Sequence, residues 1–258
     1  MKYLVLLFCL LLSFNASGQE REVTVDQLFS EAMRFHKSGQ YSKAIKNYTL
    51  IIENVDDKEI RRQMFIKRGL AKNSIKNYKS AINDFTEAIK LDSTDMASFV
   101  DRGLSLYYDR QLEMSEKDFL FVKKENANKR MVENSTYWLI KIEQKRFNHK
   151  QANEYCDELI AVNSNDAEFY FLRAFSYGRL MNHKKEIKDY SKALKLNPNY
   201  VQAITNRGVA KINLLTTKGI LKPSKKETKS ACKDLKKAFK LGDKLNTEDL
   251  IFVYCNDN

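Results

Sequence analysis

Proline is almost missing from this chain: Pro198 and Pro223 are the two in 258 residues. So few breakers, with charged residues at 30%, argue for helices rather than a β architecture punctuated by glycine and proline. Histidine (three) and cysteine (four) are scarce too, with no CxxC and no Cys/His cluster on which a metal site could be built. His36, His149 and His183 are scattered, none beside a Ser or Cys in a nucleophile motif. The patterns GxxxxGK, GxGxxG and HExxH do not occur. These gaps predict a protein that is not an enzyme and that holds neither cofactor nor metal. What is present is apolar bulk, 13 Tyr and 15 Phe, enough to bury a core and to exclude disorder over most of the length.

The first eighteen residues read as a signal peptide. Met1-Lys2 gives a positive start, Tyr3 to Leu12 is apolar, and Ala16-Ser17-Gly18 fits the small-x-small cleavage rule. The apolar run is about half the roughly 20 residues of a membrane span. The expectation is a mature chain from near Gln19, with a short lead over 19–24, periplasmic or secreted, and no transmembrane span. Cys9 lacks the small residues that precede a lipidated cysteine. Three cysteines then remain, Cys156, Cys232 and Cys255, so at most one internal pair. The formal charge of +12 falls by one with the loss of Lys2. Such a basic chain fits an acidic protein, an acidic polysaccharide or lipid headgroups, or simply carries a solvated lysine surface. Nucleic acid is not expected as the partner of an exported protein.

A repeat organises the rest. Lys67-Arg68-Gly69-Leu70-Ala71-Lys72, Asp101-Arg102-Gly103-Leu104-Ser105 and Asn206-Arg207-Gly208-Val209-Ala210-Lys211 echo one another, with Gly69 and Gly103 thirty-four residues apart. Aligned on that period, units start at Val25, Arg62, Met96, about Glu133, Ala167 and Val201. Position eight is small in five units (Ala32, Gly69, Gly103, Ala174, Gly208). Position twenty is alanine in four (Ala44, Ala81, Ala152, Ala231). Position twenty-four is Tyr48, Phe85, Phe119, Tyr190 or Leu235, and position twenty-seven is Ala88, Ala193 or Ala238. Each slot is a packing demand, a bulky group facing a small one. These slots and the Lys195-Leu196-Asn197-Pro198-Asn199 ending resemble the tetratricopeptide-repeat (TPR) family, whose units are helix–turn–helix hairpins. The departures are Ser115 and Glu186 at position twenty and Ile140 at position eight of the fourth unit.

The resemblance implies an all-α protein, an α-solenoid with a right-handed superhelix. It would hold about six hairpins (25–58, 62–95, 96–129, 133–166, 167–200, 201–245) and a capping helix with its tail over 246–258. Thr24-x-x-Gln27 and Ser224-x-x-Glu227 read as capping boxes. Arg occupies position seven in the four units that also carry Asp at position twenty-three: Arg68 with Asp84, Arg102 with Asp118, Arg173 with Asp189 and Arg207 with Asp234. Units one and four lack both partners, which predicts structural ion pairs within hairpins.

By the same resemblance a concave face would be lined by Phe29, Met33, His36, Ile66, Leu70, Asn73, Val100, Leu104, Tyr107, Tyr108, Phe171, Phe175 and Arg179. That groove suits a protein or peptide partner in the bacterial envelope. Position five is apolar or threonine in every unit but the degenerate fourth, so a clamp for a peptide's terminal carboxylate is not expected. The sixth unit holds about eleven extra residues and a lysine cluster: Lys218, Lys222, Lys225, Lys226, Lys229, Lys233, Lys236, Lys237 and Lys240. An alternative function follows, a structural or surface-associating protein holding acidic polysaccharide or lipid. The ending resembles the terminal unit of exported bacterial TPR proteins. A helix from Asn246 to Cys255 would bury Leu250, Ile251 and Val253 and set Cys255 against Cys232 as a disulfide, with Cys156 a buried thiol.

Overall fold

A computed structural model describes residues 10–11, 22–125, 128–220 and 222–255. The expected leader, apart from Leu10–Leu11, and the tail 256–258 lie outside the described residues. Leu10–Leu11 pairs antiparallel with Glu22–Val23, and among the described residues every element from Val25 onward is a helix. The chain forms two compact units, 1–135 and 136–258.

The first unit holds three helical hairpins: α1 (Val25–Lys37) with α2 (Tyr41–Asn54), α3 (Lys58–Ser74) with α4 (Tyr78–Leu91), and α5 (Met96–Tyr108) with α6 (Leu112–Lys124). A capping box opens α1, Thr24 and Gln27 satisfying each other's backbone N–H. The second unit holds most of α7 (Lys129–Lys145), then α8 (His149–Val162), α9 (Ala167–Arg179) with α10 (His183–Leu196), α11 (Val201–Thr216) with α12 (Lys225–Lys240), and α13 (Lys244–Cys255). Ser224 and Glu227 form the second capping box at α12.

Both units are built on one hairpin geometry. In the first five hairpins the second helix opens sixteen residues after the aligned first position, at Tyr41, Tyr78, Leu112, His149 and His183. The turn residue before it is left-handed each time: Gly39, Lys76, Arg110, Phe147 and Met181 have φ of 74°, 60°, 66°, 61° and 57°. The following amide reaches back to a first-helix carbonyl, as Asn77 N–H does to Lys72 at 2.9 Å. Helices α3 and α7 start four residues ahead of the aligned positions Arg62 and Glu133. The three extra residues that precede those positions wind into an added turn.

The small-against-large rule is visible atom by atom. A Cβ on Gly69 or Gly103 would stand 2.9 Å from the ring of Phe85 or Phe119, and one on Gly208 2.9 Å from Leu235. In the fourth hairpin the sizes are exchanged: Ile140 and Cys156 lie in one buried cluster. Burial pushes the Cys156 thiol far above its ordinary range, leaving it an inert core group. Ser115, in the usual alanine slot, donates to the Gly103 carbonyl at 2.7 Å. Glu186 fits the same slot because Gly178 faces it; a Cβ there would lie 2.6 Å from its carboxylate.

Each position-seven arginine forks onto the aspartate of its own hairpin. Nη2 and Nε of Arg68 reach Asp84 at 2.7 and 3.1 Å; the corresponding distances are 2.7 and 2.8 Å for Arg102 to Asp118. They are 2.9 and 2.7 Å for Arg173 to Asp189 and 2.6 and 2.8 Å for Arg207 to Asp234. The remaining Nη1 donates to the second helix of the preceding hairpin: Thr49 (2.9 Å), Thr86 (3.3 Å), Asp157 (2.6 Å) and Ser191 (3.3 Å). Every pair is thus a three-helix contact. Unit one has a weaker counterpart, Asn47 donating to Glu31 at 3.3 Å.

The capping helix departs from its expected form. It begins at Lys244, two residues early, because Gly242 (φ 103°) turns the chain and the Asp243 carbonyl accepts from Thr247 Oγ1. Thr247 is its fully buried residue, and Val253 is 63% exposed rather than buried. Thr247, Ile251 and Tyr254 define the inner face at helical spacing, and Val253 falls on the other side. Cys232 and Cys255 are joined by a disulfide that ties α13 to α12.

Asp84, 2% exposed, also takes Lys72 at 2.7 Å. Asp84→Ala leaves two cations without their carboxylate and is expected to cost about 3 kcal/mol. Urea unfolding checks this, and a loss under about 1 kcal/mol contradicts it.

Candidate partner-binding groove

The first helices of the second unit enclose a cavity of about 480 Å³. Its wall is Lys141 and Gln144 from α7, Phe171, Leu172 and Phe175 from α9, and Gln202, Thr205, Asn206 and Val209 from α11. Asp243 and Asn246, just before and within α13, close one end. A smaller recess of about 210 Å³ shares Phe175, Asn206 and Val209 and adds Arg179, His183, Glu186, Tyr190 and Asn213.

Hydrogen bonds fix part of this lining and leave part open. Gln144 donates to the Leu172 carbonyl and to Ser176 Oγ, both at 2.9 Å. Thr205 donates to Asp243, which accepts from Asn246 at 2.7 Å. Asn206 donates to the Tyr190 hydroxyl at 3.3 Å, so its carbonyl oxygen is available to a ligand. Lys141 stands 6.0 Å from the Tyr137 ring and Arg179 5.3 Å from the Phe175 ring. Neither cation has a carboxylate partner among the described residues. At the recess floor His183 Nδ1 lies 2.7 Å from Glu186, whose carboxyl is raised by burial and pulled back by that histidine.

Phe171, Phe175 and Arg179 of the expected groove all lie here, the first two half-buried. The first-unit members lie on α1, α3 and α5, and none of them is buried. Several are engaged: Ser105 donates to Asn73 at 3.0 Å, the Tyr48 hydroxyl contacts Met33 and His36, and Tyr108 stacks on Tyr78. Lysine contact is made by Phe29, with Lys67 5.7 Å from its ring. Missing from the expectation are Lys141, Gln144, Gln202, Thr205, Asn206 and Val209. Most occupy positions two, five, nine and twelve of units four and six, so the repeat register itself would have named them.

The nine lysines of the basic patch are all exposed. Lys218 and Lys222 lie in the α11–α12 connection, the others on α12. Among the described residues no group of three His, Cys, Asp or Glu side chains is placed to hold a metal, and no helix is long and apolar enough to cross a membrane.

The tetratricopeptide-repeat family model matches residues 63–95 and 167–200, the second and fifth hairpins. Those two hairpins match as tetratricopeptide repeats, and the other hairpins repeat their geometry. DnaJ homolog subfamily C member 7 of Mus musculus is 24% identical over 152 residues, 57% of this chain and 29% of that protein. The chain therefore spans less than a third of that relative's length. Among solved structures, a tetratricopeptide repeat protein from Parabacteroides merdae matches with a TM-score of 0.66 at 14% identity, covering 90% of this chain and 99% of that one. YrrB, a TPR protein with an unusual peptide-binding site, matches with a TM-score of 0.57 at 17% identity, covering 78% and 95%. At these identities the likeness is one of fold.

Asp101, at the first-unit position equivalent to Asn206, has no hydrogen bond or ion pair from its carboxylate among the described residues. Burial, with Asp95 nearby, pushes its carboxyl up to about 6. A folded-state value above the unfolded one means that the wild type gains stability as pH falls through 6 and loses it as pH rises. Asp101→Asn is therefore expected to be more stable at pH near 8 by about 2 kcal/mol, with the gap closing towards pH near 4. Urea midpoints across that range test this; a gap independent of pH contradicts it.

Proposed function

We propose that the chain is a non-catalytic scaffold of the cell envelope whose second-unit groove holds an extended peptide segment of a protein partner. The carrying observation is the lining of the 480 Å³ cavity. Side-chain amides of Gln202, Asn206 and Asn246 share that lining with the apolar surfaces of Phe171, Phe175 and Val209. An amide side chain offers one donor group and one acceptor, which matches a peptide backbone; the rings match the side chains between. YrrB's peptide-binding site is a property of that protein, and its shared fold makes the same use of a groove reasonable here. Placement in the envelope is supported by the Met1–Gly18 leader pattern and by the Cys232–Cys255 bond, which an oxidising compartment favours.

Panning a random peptide library against the full chain tests the reading. The expected result is an enriched consensus whose affinity falls roughly tenfold in Phe175→Ala and in Asn206→Ala, and which survives raised salt because its contacts are mainly uncharged. Peptides that bind the two variants as tightly as the wild type contradict it.

A further inference from the structure

We propose that the furrow between α10 and α12, whose lining also takes in Ile204 and Arg207 of α11, binds a linear acidic polysaccharide. This inference stands apart from the peptide groove and uses none of its residues.

Helix α10 carries five lysines and α12 seven. Their acids are turned inward or occupied. Glu186, Asp189 and Asp234 are 7%, 4% and 4% exposed, held by His183, Arg173 and the Arg207–Lys211 pair. Glu227 folds back on Ser224. Lys184, Lys188, Lys195, Lys229, Lys233 and Lys240 make no ion pair among the described residues.

Between the two helices runs a cleft of about 250 Å³ whose lining contains Lys195, Lys237 and Arg207 and no acid. Lys237 donates to the Pro198 carbonyl at 2.9 Å, which fixes its ammonium at the cleft and leaves two N–H groups free. Arg207 and Lys211 share one aspartate, so that cluster keeps a net charge of +1. One hairpin earlier the matching place is neutralised, since Asp157 takes Nη1 of Arg173. At the furrow that position is Ser191.

The shape decides among polyanions. Cations on the wall and floor of a cleft are reached by a chain and not by a flat bilayer. Leu194, Pro198 and Ile204 line the same cleft, an apolar strip suited to the C–H faces of sugar rings. No aromatic side chain lines it, so nothing there stacks a nucleobase. Lysine ammonium groups, single-point donors, answer a row of separate sulfates or carboxylates.

Calorimetric titration of the full chain with heparin and with polygalacturonate tests the proposal. Both are expected to bind, with affinity falling steeply between about 50 and 300 mM salt. Lys195→Ala/Lys237→Ala should weaken binding roughly tenfold. Lys195→Arg/Lys237→Arg should retain it, and the equal charge loss Lys46→Ala/Lys79→Ala on the first unit should cost no more than about twofold. Phosphatidylglycerol vesicles and a single-stranded oligonucleotide are the competing arms. Tighter binding to either than to both glycans, or an equal loss in the two alanine pairs, overturns the proposal.

Discussion

Within each unit, guanidinium groups with every edge engaged set neighbouring hairpins against one another, four in all. Arg68, Arg102, Arg173 and Arg207 each use Nε and Nη2 on an aspartate of their own hairpin and Nη1 on the second helix before it. Thr49, Thr86 and Ser191 give their own proton to the carbonyl one turn back, at 2.8, 2.7 and 2.7 Å. A lone pair is thereby left for the arginine. The planar fork permits one relative placement of three helices, where an apolar contact would tolerate sliding. Such pairs owe their worth to geometry more than to net stabilisation, because desolvation offsets most of the attraction.

Much of this was legible in sequence. Arg and Asp occur together or not at all, unit by unit, and that matched pattern names the pair. The third contact was harder to see, since a Thr or Ser at position twenty-five reads as ordinary helix surface. It becomes visible only in register: where position seven is Leu139, position twenty-five of the preceding unit is Leu120. The groove was half legible. Positions five and nine in the fifth unit gave Phe171 and Phe175, while the irregular fourth and sixth units hid Lys141, Gln144, Gln202 and Asn206. Val253 misled because apolar character was read without the helical face that Thr247 and Ile251 define.

The charge of the chain is unevenly placed, and this separates two surfaces. Residues after 135 carry 23 Lys or Arg against 14 Asp or Glu. Their lysines crowd the second helices α10 and α12, whereas the first helices α7, α9 and α11 present amides and rings. One hairpin geometry thus gives a polar, shaped groove on one set of helices and a cationic furrow on the other. The buried aspartates make this separation possible: they neutralise the arginines inside and leave the surface lysines unanswered.

Hydrogen exchange of the full chain with a groove-selected peptide tests the central reading most directly. Protection is expected to concentrate on α7, α9 and α11 around Gln144, Phe175 and Asn206, with α10 and α12 unchanged. Protection on α10 and α12 instead, or an even and slight change across both units, contradicts a peptide site on the first helices.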